Sequence, residues 1–278
     1  MRVLVASRHD PASINIRDRL LESGTFERSN RSFRGAPVWA RSETVLVEVE
    51  GPSVHDEALG ADLAATGWPV MDVWFLSKHA AKSGTPSFTV HPIGNHTDAQ
   101  FGGKPGELSP CSPRDMGALL RRLKHHATAH NMPHAVTYES THHGPSMPYP
   151  TLWVEIGSDA TWYSDPKGGA VVAAAVNDVL AGEGRSTGPV VVGVGGGHYV
   201  PRATDVALAG KADFGHFLPT HFVDAAAGPA ALGRCIAATP GCSGVHVHHK
   251  GLKGPQRAAV FAWCEALGVR PWSSADAD

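Results

Sequence analysis

The chain has 278 residues, of which 42% are hydrophobic and 18% charged, and its formal net charge is −2 at pH 7. This composition predicts a folded protein of one large or two modest domains and excludes a disordered chain or a globally basic nucleic-acid binder. The 4 cysteines lack C-x-x-C spacing, which argues against a disulfide framework or a cysteine-based zinc knuckle. No apolar run is long enough to span a membrane, and residues 3–6 are too short for a signal peptide. We therefore expect a cytoplasmic protein that makes no membrane contact.

Strand and helix patterns alternate along the chain, and this alternation predicts the α/β class. In chain order they predict a strand at 3–6, a helix from Pro11, a strand at 44–49, a helix at 55–65, strands at 73–76 and 88–90, a helix at 115–130, strands at 135–138 and 151–156, a helix at 169–180, a strand at 190–194, a helix at 229–238, a strand at 244–248 and a helix at 255–267. We expect mixed sheets flanked by helices, forming one unit over residues 1–278. The linker-like stretch 181–189 is the candidate break between two intertwined α/β subdomains.

Polar clusters follow four of the apolar strands, and they indicate a binding site. A single histidine near a strand end can simply cap backbone groups, but four such clusters together favour a site. In open α/β sheets, ligands bind outside the carboxyl ends of the strands, so we expect the clusters to line one cleft there. The clusters are Ser77 to His79, His91 to Asn95, Glu139 to His143 and Gly195 to Tyr199.

The stretch VVVGVGGGHYVPRATD places a glycine run before three chemically useful side chains. It matches neither the G-x-G-x-x-G dinucleotide pattern, because position 198 is histidine, nor a phosphate loop, because no suitable lysine follows. Glycines let a backbone approach a ligand closely, and the run would present His198, Tyr199 and Arg202. Arg202 could take a phosphate or carboxylate in a two-pronged hydrogen bond.

Several histidines and one glutamate have the residue types of a zinc site. The candidate ligands are His142, His143, Glu155, His198 and His216, although no H-E-x-x-H motif supports them. The histidines of the 246–249 segment are explained equally well as surface residues. No nucleophile elbow is present, which favours attack by a water that histidine or metal activates.

Nine ordered blocks of this sequence resemble the archaeal and plant type of D-aminoacyl-tRNA deacylase. They are DPASINIRDRLLE, FLSKH, TVHPIGN, GGKPGELS, YESTHHGP, LWVEIGSDATWYSD, GVGGGHYVPRATDVAL, FGHFLP and KGLKGPQR. The resemblance implies hydrolysis of the ester that joins a D-amino acid to the tRNA 3′ ribose, and removal of aldehyde-modified D-aminoacyl adducts. It also implies zinc, and a peptidyl-tRNA-hydrolase-like part joined to a second α/β part.

The matched blocks carry the candidate site residues, and the partner they imply is the tRNA acceptor end bearing a D-amino acid. We expect the backbone N–H groups of Gly195 to Gly197, or Lys78, to stabilise the oxyanion, and the basic helix with Arg121, Arg122 and Lys124 to meet the acceptor stem. The sequence leaves the oligomeric state open. The catalytic candidates are Lys78, His79, His142, His143 and His198, and the substrate-binding candidates are His91, Asn95, Lys104, Tyr199 and Arg202.

Two other functions remain compatible with the sequence. One is a related hydrolase that acts on peptidyl-tRNA-like substrates or on small D-amino-acid conjugates. The other is a non-catalytic module that binds the tRNA end, in which case binding would survive His142→Ala and His198→Ala without any turnover.

Overall fold

The computed structural model describes residues 1–223 and 228–273. These residues form β1 (Arg2–Ser7), α1 (Pro11–Glu22), β2 (Glu27–Phe33), β3 (Ala36–Arg41), β4 (Thr44–Val49), α2 (Leu59–Ala65), β5 (Asp72–Ala80), β6 (Ser87–His91), α3 (Pro113–Ala129), β7 (Ala135–Tyr138), β8 (Thr151–Ser158), α4 (Ala160–Tyr163), α5 (Pro166–Leu180), β9 (Val190–Val194), α6 (Pro201–Leu208), β10 (Asp213–Leu218), α7 (Gly228–Ala237), β11 (Cys242–Val247), α8 (Gly254–Ala266) and β12 (Pro271–Trp272).

The α/β class is confirmed, and three predicted strands (44–49, 135–138 and 190–194) match β4, β7 and β9 to the residue. The helix predicted at 55–65 is shorter, because α2 begins only at Leu59 after a 3-10 turn. The strand predicted at 73–76 continues to Ala80, so Lys78 and His79 lie within β5 and not after it.

Six elements of the described residues were not predicted from the sequence: β2, β3, α4, α6, β10 and β12. Strands β2 and β3 form an antiparallel hairpin at the sheet edge, where exposed polar residues hide the strand period. Helix α6 begins shortly after the glycine run, and its start was therefore not recognised in the sequence. In β10, Gly215 and His216 interrupt the apolar pattern.

The larger sheet is mixed, in the strand order β2-β3-β4-β1-β5-β8-β6-β7. Strands β4, β1, β5 and β8 are parallel, whereas β6 is antiparallel to β8, and β7 is parallel to β6. Alternate side chains of a strand face opposite sides of a sheet. Leu4 of β1 therefore packs in the cluster of α1, α3 and α5, while Val3 packs with Leu59 and Leu63 of α2 on the other face. The short helix α2 leaves part of that second face for the candidate site.

The smaller sheet is parallel, in the order β10-β9-β11-β12. Val191 of β9 packs with α6 in the same hydrophobic cluster as α3, while Val192 packs with α7 and α8. One hydrophobic core thus extends from the large sheet into the small one. Residues 181–189 connect α5 to β9, and the break between two subdomains expected there stays a prediction. The expected likeness of one part of the chain to peptidyl-tRNA hydrolase also stays a prediction. Among the described residues, no helix combines the length and apolar character needed to cross a membrane.

Candidate active site

The uncovered face of the large sheet gathers the functional side chains of three adjacent strands. Ser77 of β5 pairs with Glu155 of β8, which in turn pairs with Thr89 of β6. His79 and His91 each lie two residues further along β5 and β6, so both side chains point to the same face as Glu155. The sheet register therefore builds one polar floor from residues that are distant in sequence.

The expectation that the polar clusters meet at the carboxyl ends of parallel strands is wrong for this sheet. Strand β6 runs antiparallel to β8, and therefore also opposite to β5, so the carboxyl ends of β5 and β6 lie at opposite edges. The clusters meet on the face of the sheet instead. His79 reaches this centre from inside β5, and His91 reaches it from the end of β6.

Glu139, directly after β7, is the centre of the cluster and is completely buried. One of its oxygens (Oε1) lies 2.9 Å from Nδ1 of His79. The other (Oε2) lies 3.1 Å from Nε2 of His198 and 3.5 Å from Nε2 of His142. A single carboxylate thus contacts three histidines that come from different segments of the chain.

The loop after β9 is joined to the loop after β7 by backbone contacts, and this brings His198 to the large sheet. Ser140 N–H donates to the carbonyl of His198 at 2.8 Å, and Glu139 forms an isolated antiparallel bridge with Tyr199. Tyr199 places its hydroxyl 2.8 Å from Nε2 of His79. The smaller sheet therefore supplies two side chains to a site whose floor belongs to the larger one.

Three histidines are oriented in the same way, with Nδ1 against a backbone carbonyl. The Nδ1 atoms of His142, His143 and His91 lie 2.7, 2.7 and 3.2 Å from the carbonyls of Ser140, Gly144 and Pro92. This contact fixes Nδ1 as a protonated nitrogen and makes Nε2 the atom that each ring can offer to a ligand. Histidines that bind metals have this second interaction almost without exception.

The donor set fits a metal ion. Ligand atoms lie within 4.8 Å of one another in each of three groups: His91 with His142 and His143, His79 with Glu139 and His198, and His91 with Glu139 and Glu155. Among the described residues, Nε2 of His91 is buried without a hydrogen-bond partner, and the buried carboxylate of Glu139 is contacted by His79, His142 and His198. Buried polar atoms rarely stay unpartnered, and imidazole with carboxylate is a zinc-binding set.

Charge pairing dominates the protonation of His79 and its neighbours. Burial alone would lower the pKa of His79, but the hydrogen bonds and charges of Glu139 and Glu155 raise it to about 11. Burial would raise the pKa of both glutamates, yet the histidines around them hold both values below the usual range. At neutral pH these groups form a buried ionic network.

His142 and His143 have the opposite tendency. Burial, followed by the positive charge of His91, lowers the pKa of His142 well below its usual value. Burial and the charge of His91 lower the pKa of His143 to about 4. Both imidazoles are therefore neutral at pH 7 and have an available Nε2 lone pair, which is the form that acts as a base or as a metal ligand.

Two cavities of about 350 Å³ each adjoin the cluster. One, called here the Lys78 pocket, includes Lys78, Asp10 and Glu155. The other, called here the Asn95 pocket, includes Asn95 and His221. Both cavities are lined by Phe101, His142, His143 and His198, so the histidines form a shared wall that a two-part ligand would straddle.

Three of the candidate residues lie elsewhere. His216 is buried with Nε2 2.8 Å from the carbonyl of Ser109 and Nδ1 3.0 Å from the Thr141 hydroxyl, so neither nitrogen is available to a metal. Lys104 lines neither pocket and lies 3.5 Å from Glu107. Arg202 lines a separate cavity with the 246–249 segment.

Two expected backbone and helix roles are contradicted in part. Gly195 N–H donates to the carbonyl of Leu218 and Gly196 N–H to the Thr220 hydroxyl, so these two donors are not available to an oxyanion. The role expected for the Gly197 N–H stays a prediction. In the basic helix α3, Arg121 pairs with Asp213 and Arg122 with Asp178. These two arginines are therefore paired within the protein, whereas Lys124 of the same helix is exposed, so its contact with the acceptor stem stays a prediction.

Glu139 is the functional residue that the sequence interpretation missed as an individual. It stands within the Glu139-to-His143 cluster, but the neighbouring histidine pair carried the metal interpretation. An acidic residue placed directly after a buried strand was the available signal, because burying a carboxylate requires a partner. Its partners, His79 and His198, lie far from it in sequence, so no local spacing could identify them.

The fold and the site define an α/β protein with a buried histidine–carboxylate cluster between two pockets, a donor set suited to activating water. The family model for D-aminoacyl-tRNA deacylase matches residues 69–271. Two proteins named D-aminoacyl-tRNA deacylase, from Thermococcus onnurineus and Thermococcus kodakarensis, are 30% and 31% identical, each over 97% of this chain and 98% of the relative. A solved structure described as the conserved protein of unknown function AF0625 has a TM-score of 0.88 at 28% identity and covers 100% of this chain and 96% of that one. The chain belongs to the D-aminoacyl-tRNA deacylase family.

Proposed function

We propose that this chain hydrolyses the ester bond of D-aminoacyl-tRNA and releases a D-amino acid and free tRNA. The family membership supports the reaction, and the position of the histidine–glutamate cluster between two pockets is the observation that carries it. An ester of this kind has an amino-acid part and an adenosine part on either side of the scissile bond. We assign the amino-acid part to the Lys78 pocket and the adenosine to the Asn95 pocket. We also propose a cytoplasmic location, because tRNA is aminoacylated and used in translation there.

In this proposal His198 is the general base that takes a proton from the attacking water, and Glu139 is the carboxylate that supports it. The His198 side chain is 47% exposed, so it reaches the cleft, while its Nε2 lies 3.1 Å from the buried Glu139 carboxylate. His198 takes a proton as the water oxygen attacks the ester carbonyl carbon, and Glu139 stabilises the resulting imidazolium. The proton then passes to the departing ribose oxygen. Lys78, at the rim of its pocket, is placed to stabilise the negative carbonyl oxygen.

Chiral selection follows from the shape of the Lys78 pocket in this proposal. The α-amino group of the substrate is cationic, and two buried carboxylates, Asp10 and Glu155, line this pocket. Glu155 is already paired with His79 and His91, so we assign the amino group to Asp10. An amino group directed to Asp10, with the carbonyl fixed at the cluster, leaves one direction for the side chain, and the enantiomer meets the pocket wall. Selection by steric exclusion needs no contact that depends on the tRNA sequence.

We further propose that His91, His142 and His143 hold a zinc ion through their Nε2 atoms. Their ring centroids lie 4.3 to 4.9 Å apart, and each Nδ1 is anchored on a backbone carbonyl. Bound zinc would supply Lewis acidity and lower the pKa of a water molecule. This set replaces Glu155, His198 and His216 of the sequence-based ligand set with His91. Elemental analysis should find less zinc in the His142→Ala/His143→Ala double variant than in wild type and the exposed-site control His125→Ala. Equal zinc content in all three would contradict this ligand set.

Deacylation of matched D-tyrosyl-tRNA and L-tyrosyl-tRNA is the direct test of the reaction. We expect the D-ester to be hydrolysed and the L-ester to survive. Hydrolysis of both would refute chiral selection, and survival of both would refute the reaction. Including D-tyrosyl-tRNA that carries an aldehyde-derived adduct or an acetyl group on its amino nitrogen separates this activity from that of a peptidyl-tRNA-type hydrolase.

A further inference from the structure

A second crevice opens in the smaller sheet, at a reversal of strand order. From β9 the chain continues through α6 to β10 on one side, whereas β11 lies on the other side of β9. Helix α6 packs with Val191, while α8, which follows β11, packs with the oppositely facing Val192. The connections after β9 and β11 therefore leave on opposite faces. In open parallel sheets, ligands bind in the crevice that such a reversal creates at the carboxyl ends of the strands.

The crevice is a cavity of about 470 Å³ with a basic lining. Its lining includes Arg202 from the start of α6, Lys250 and His248 after β11, and Trp272 of β12. Every titratable side chain that the structure describes in this lining is arginine, lysine or histidine. Its chemistry therefore suits an anionic ligand that also has a flat ring for Trp272 to contact.

A groove joins this crevice to the Asn95 pocket. Its lining includes Gly196, Gly197 and Thr220, and it shares His221 with the Asn95 pocket and Lys250 with the crevice. Arg202 follows His198 by four residues, so their Cα atoms are at most about 14 Å apart. The crevice is therefore within reach of a chain of nucleotides whose end lies at the catalytic cluster.

We infer that the crevice binds an unpaired nucleotide upstream of the aminoacylated adenosine. Its phosphate contacts Lys250 and Arg202, its base lies against Trp272, and the strand follows the groove past Gly197 into the Asn95 pocket. This inference rests on the tRNA substrate proposed above. Stacking on an aromatic ring together with phosphate contacts is the general way in which proteins bind single-stranded nucleic acid.

Fluorescence anisotropy of 5′-labelled, uncharged tRNA tests the crevice without any chemical step. The probes are intact tRNA and the same tRNA lacking its last three nucleotides, each titrated over a salt series. We expect Lys250→Ala to weaken binding of intact tRNA about tenfold and to reduce its salt slope by about 0.7, the value for one single-strand phosphate contact. The penalty should disappear on the shortened tRNA. The matched control is Lys167→Ala, an exposed lysine on α5, which should bind both probes as wild type does.

Three results would overturn the inference. Lys250→Ala could weaken the binding of both tRNA probes equally, which would place the contact elsewhere on tRNA. It could also leave the binding of both probes unchanged. Adenosine monophosphate or inorganic phosphate could bind more tightly than intact tRNA in a Lys250-dependent way, which would make the crevice a site for a free anion. Failure to hydrolyse D-tyrosyl-tRNA with intact Lys250-dependent binding would instead refute the proposed reaction and leave the crevice assignment standing.

Discussion

The histidines of this chain differ in what their ring nitrogens contact, and that difference separates function from structure. His142 and His143 each place Nδ1 against a carbonyl and keep Nε2 available, whereas His216 uses both nitrogens in buried hydrogen bonds. Neither nitrogen of the buried His134 has a hydrogen-bond partner among the described residues, and its ring stacks on Phe88 at 4.1 Å. The sequence contains 17 histidines without marking these roles, because each role depends on residues brought together by folding.

Replacing His134 with phenylalanine should make the protein less sensitive to acid. Burial lowers the pKa of His134 to about 4, so the unfolded chain binds a proton near pH 6.5 while the folded protein resists it. The free energy of unfolding therefore falls as the pH drops from 6.5 towards 4. Between pH 7.5 and 5, His134→Phe should lose about 2 kcal/mol less than wild type does, because this proton uptake is removed.

Urea unfolding at a series of pH values measures the effect of this substitution. The same change at the exposed His125 serves as the control and should keep the wild-type pH dependence. Parallel curves for His134→Phe and wild type would show that His134 does not contribute to the acid sensitivity.

At the level of strands and helices, the sequence predicted local structure better than it predicted pairing. Strand β9 was predicted to the residue because a run of valines identifies a buried strand. The site was expected at carboxyl ends because alternating strands and helices suggest parallel pairing, but β6 pairs antiparallel with β8. Strand direction depends on contacts between distant segments, which leave no local pattern. The sequence therefore identified the five clustered histidines but not the sheet face on which they meet.

Gly157 of β8 leaves the space that the His79 ring occupies. A Cβ atom at this position would lie 2.9 Å from Cδ2 of His79 and 2.5 Å from the Ser87 hydroxyl oxygen. Gly157→Ala should therefore displace His79 from Glu139 and lower kcat/KM for D-aminoacyl-tRNA by roughly ten- to a hundredfold, the usual cost of misplacing a catalytic group.

The control for this prediction is Gly168→Ala on α5, where the nearest atom to the added Cβ would be 3.7 Å away. This variant should keep wild-type kcat/KM. Thermal unfolding of both variants separates a displaced side chain from a loss of fold. Wild-type kcat/KM in a folded Gly157→Ala protein would contradict the role given to this contact.

Across the whole molecule, a buried charge cluster joins the two sheets through α3. Asp213 at the start of β10 is fully buried and lies 2.8 Å from the guanidinium groups of both Arg114 and Arg121. The smaller sheet carries His198 and Tyr199 to the floor of the larger one, so the activity depends on how firmly the sheets are held together. The net charge of −2 gave no sign of this arrangement, because a sum over the chain does not show which charges are paired.

Asp213→Asn should destabilise the whole protein. The substitution leaves two arginines at a buried interface without their counter-charge, and we expect the free energy of unfolding to fall by about 3 kcal/mol. The control is Asp178→Asn, whose carboxylate pairs with Arg122 nearer the surface and should cost less than about 1 kcal/mol. Denaturant unfolding measures both losses, and equal losses would contradict a special role for Asp213.

The central claim is that Glu139 and the histidines around it carry out the hydrolysis. The most direct test is single-turnover hydrolysis of D-tyrosyl-tRNA by Glu139→Gln, which keeps the shape of the side chain and removes its charge. The matched control is Glu22→Gln at the exposed end of α1, which should react at the wild-type rate. We expect Glu139→Gln to be slower by about a thousandfold, because His198 loses the carboxylate that stabilises its protonated form. A folded Glu139→Gln protein with a rate near that of wild type would contradict the account.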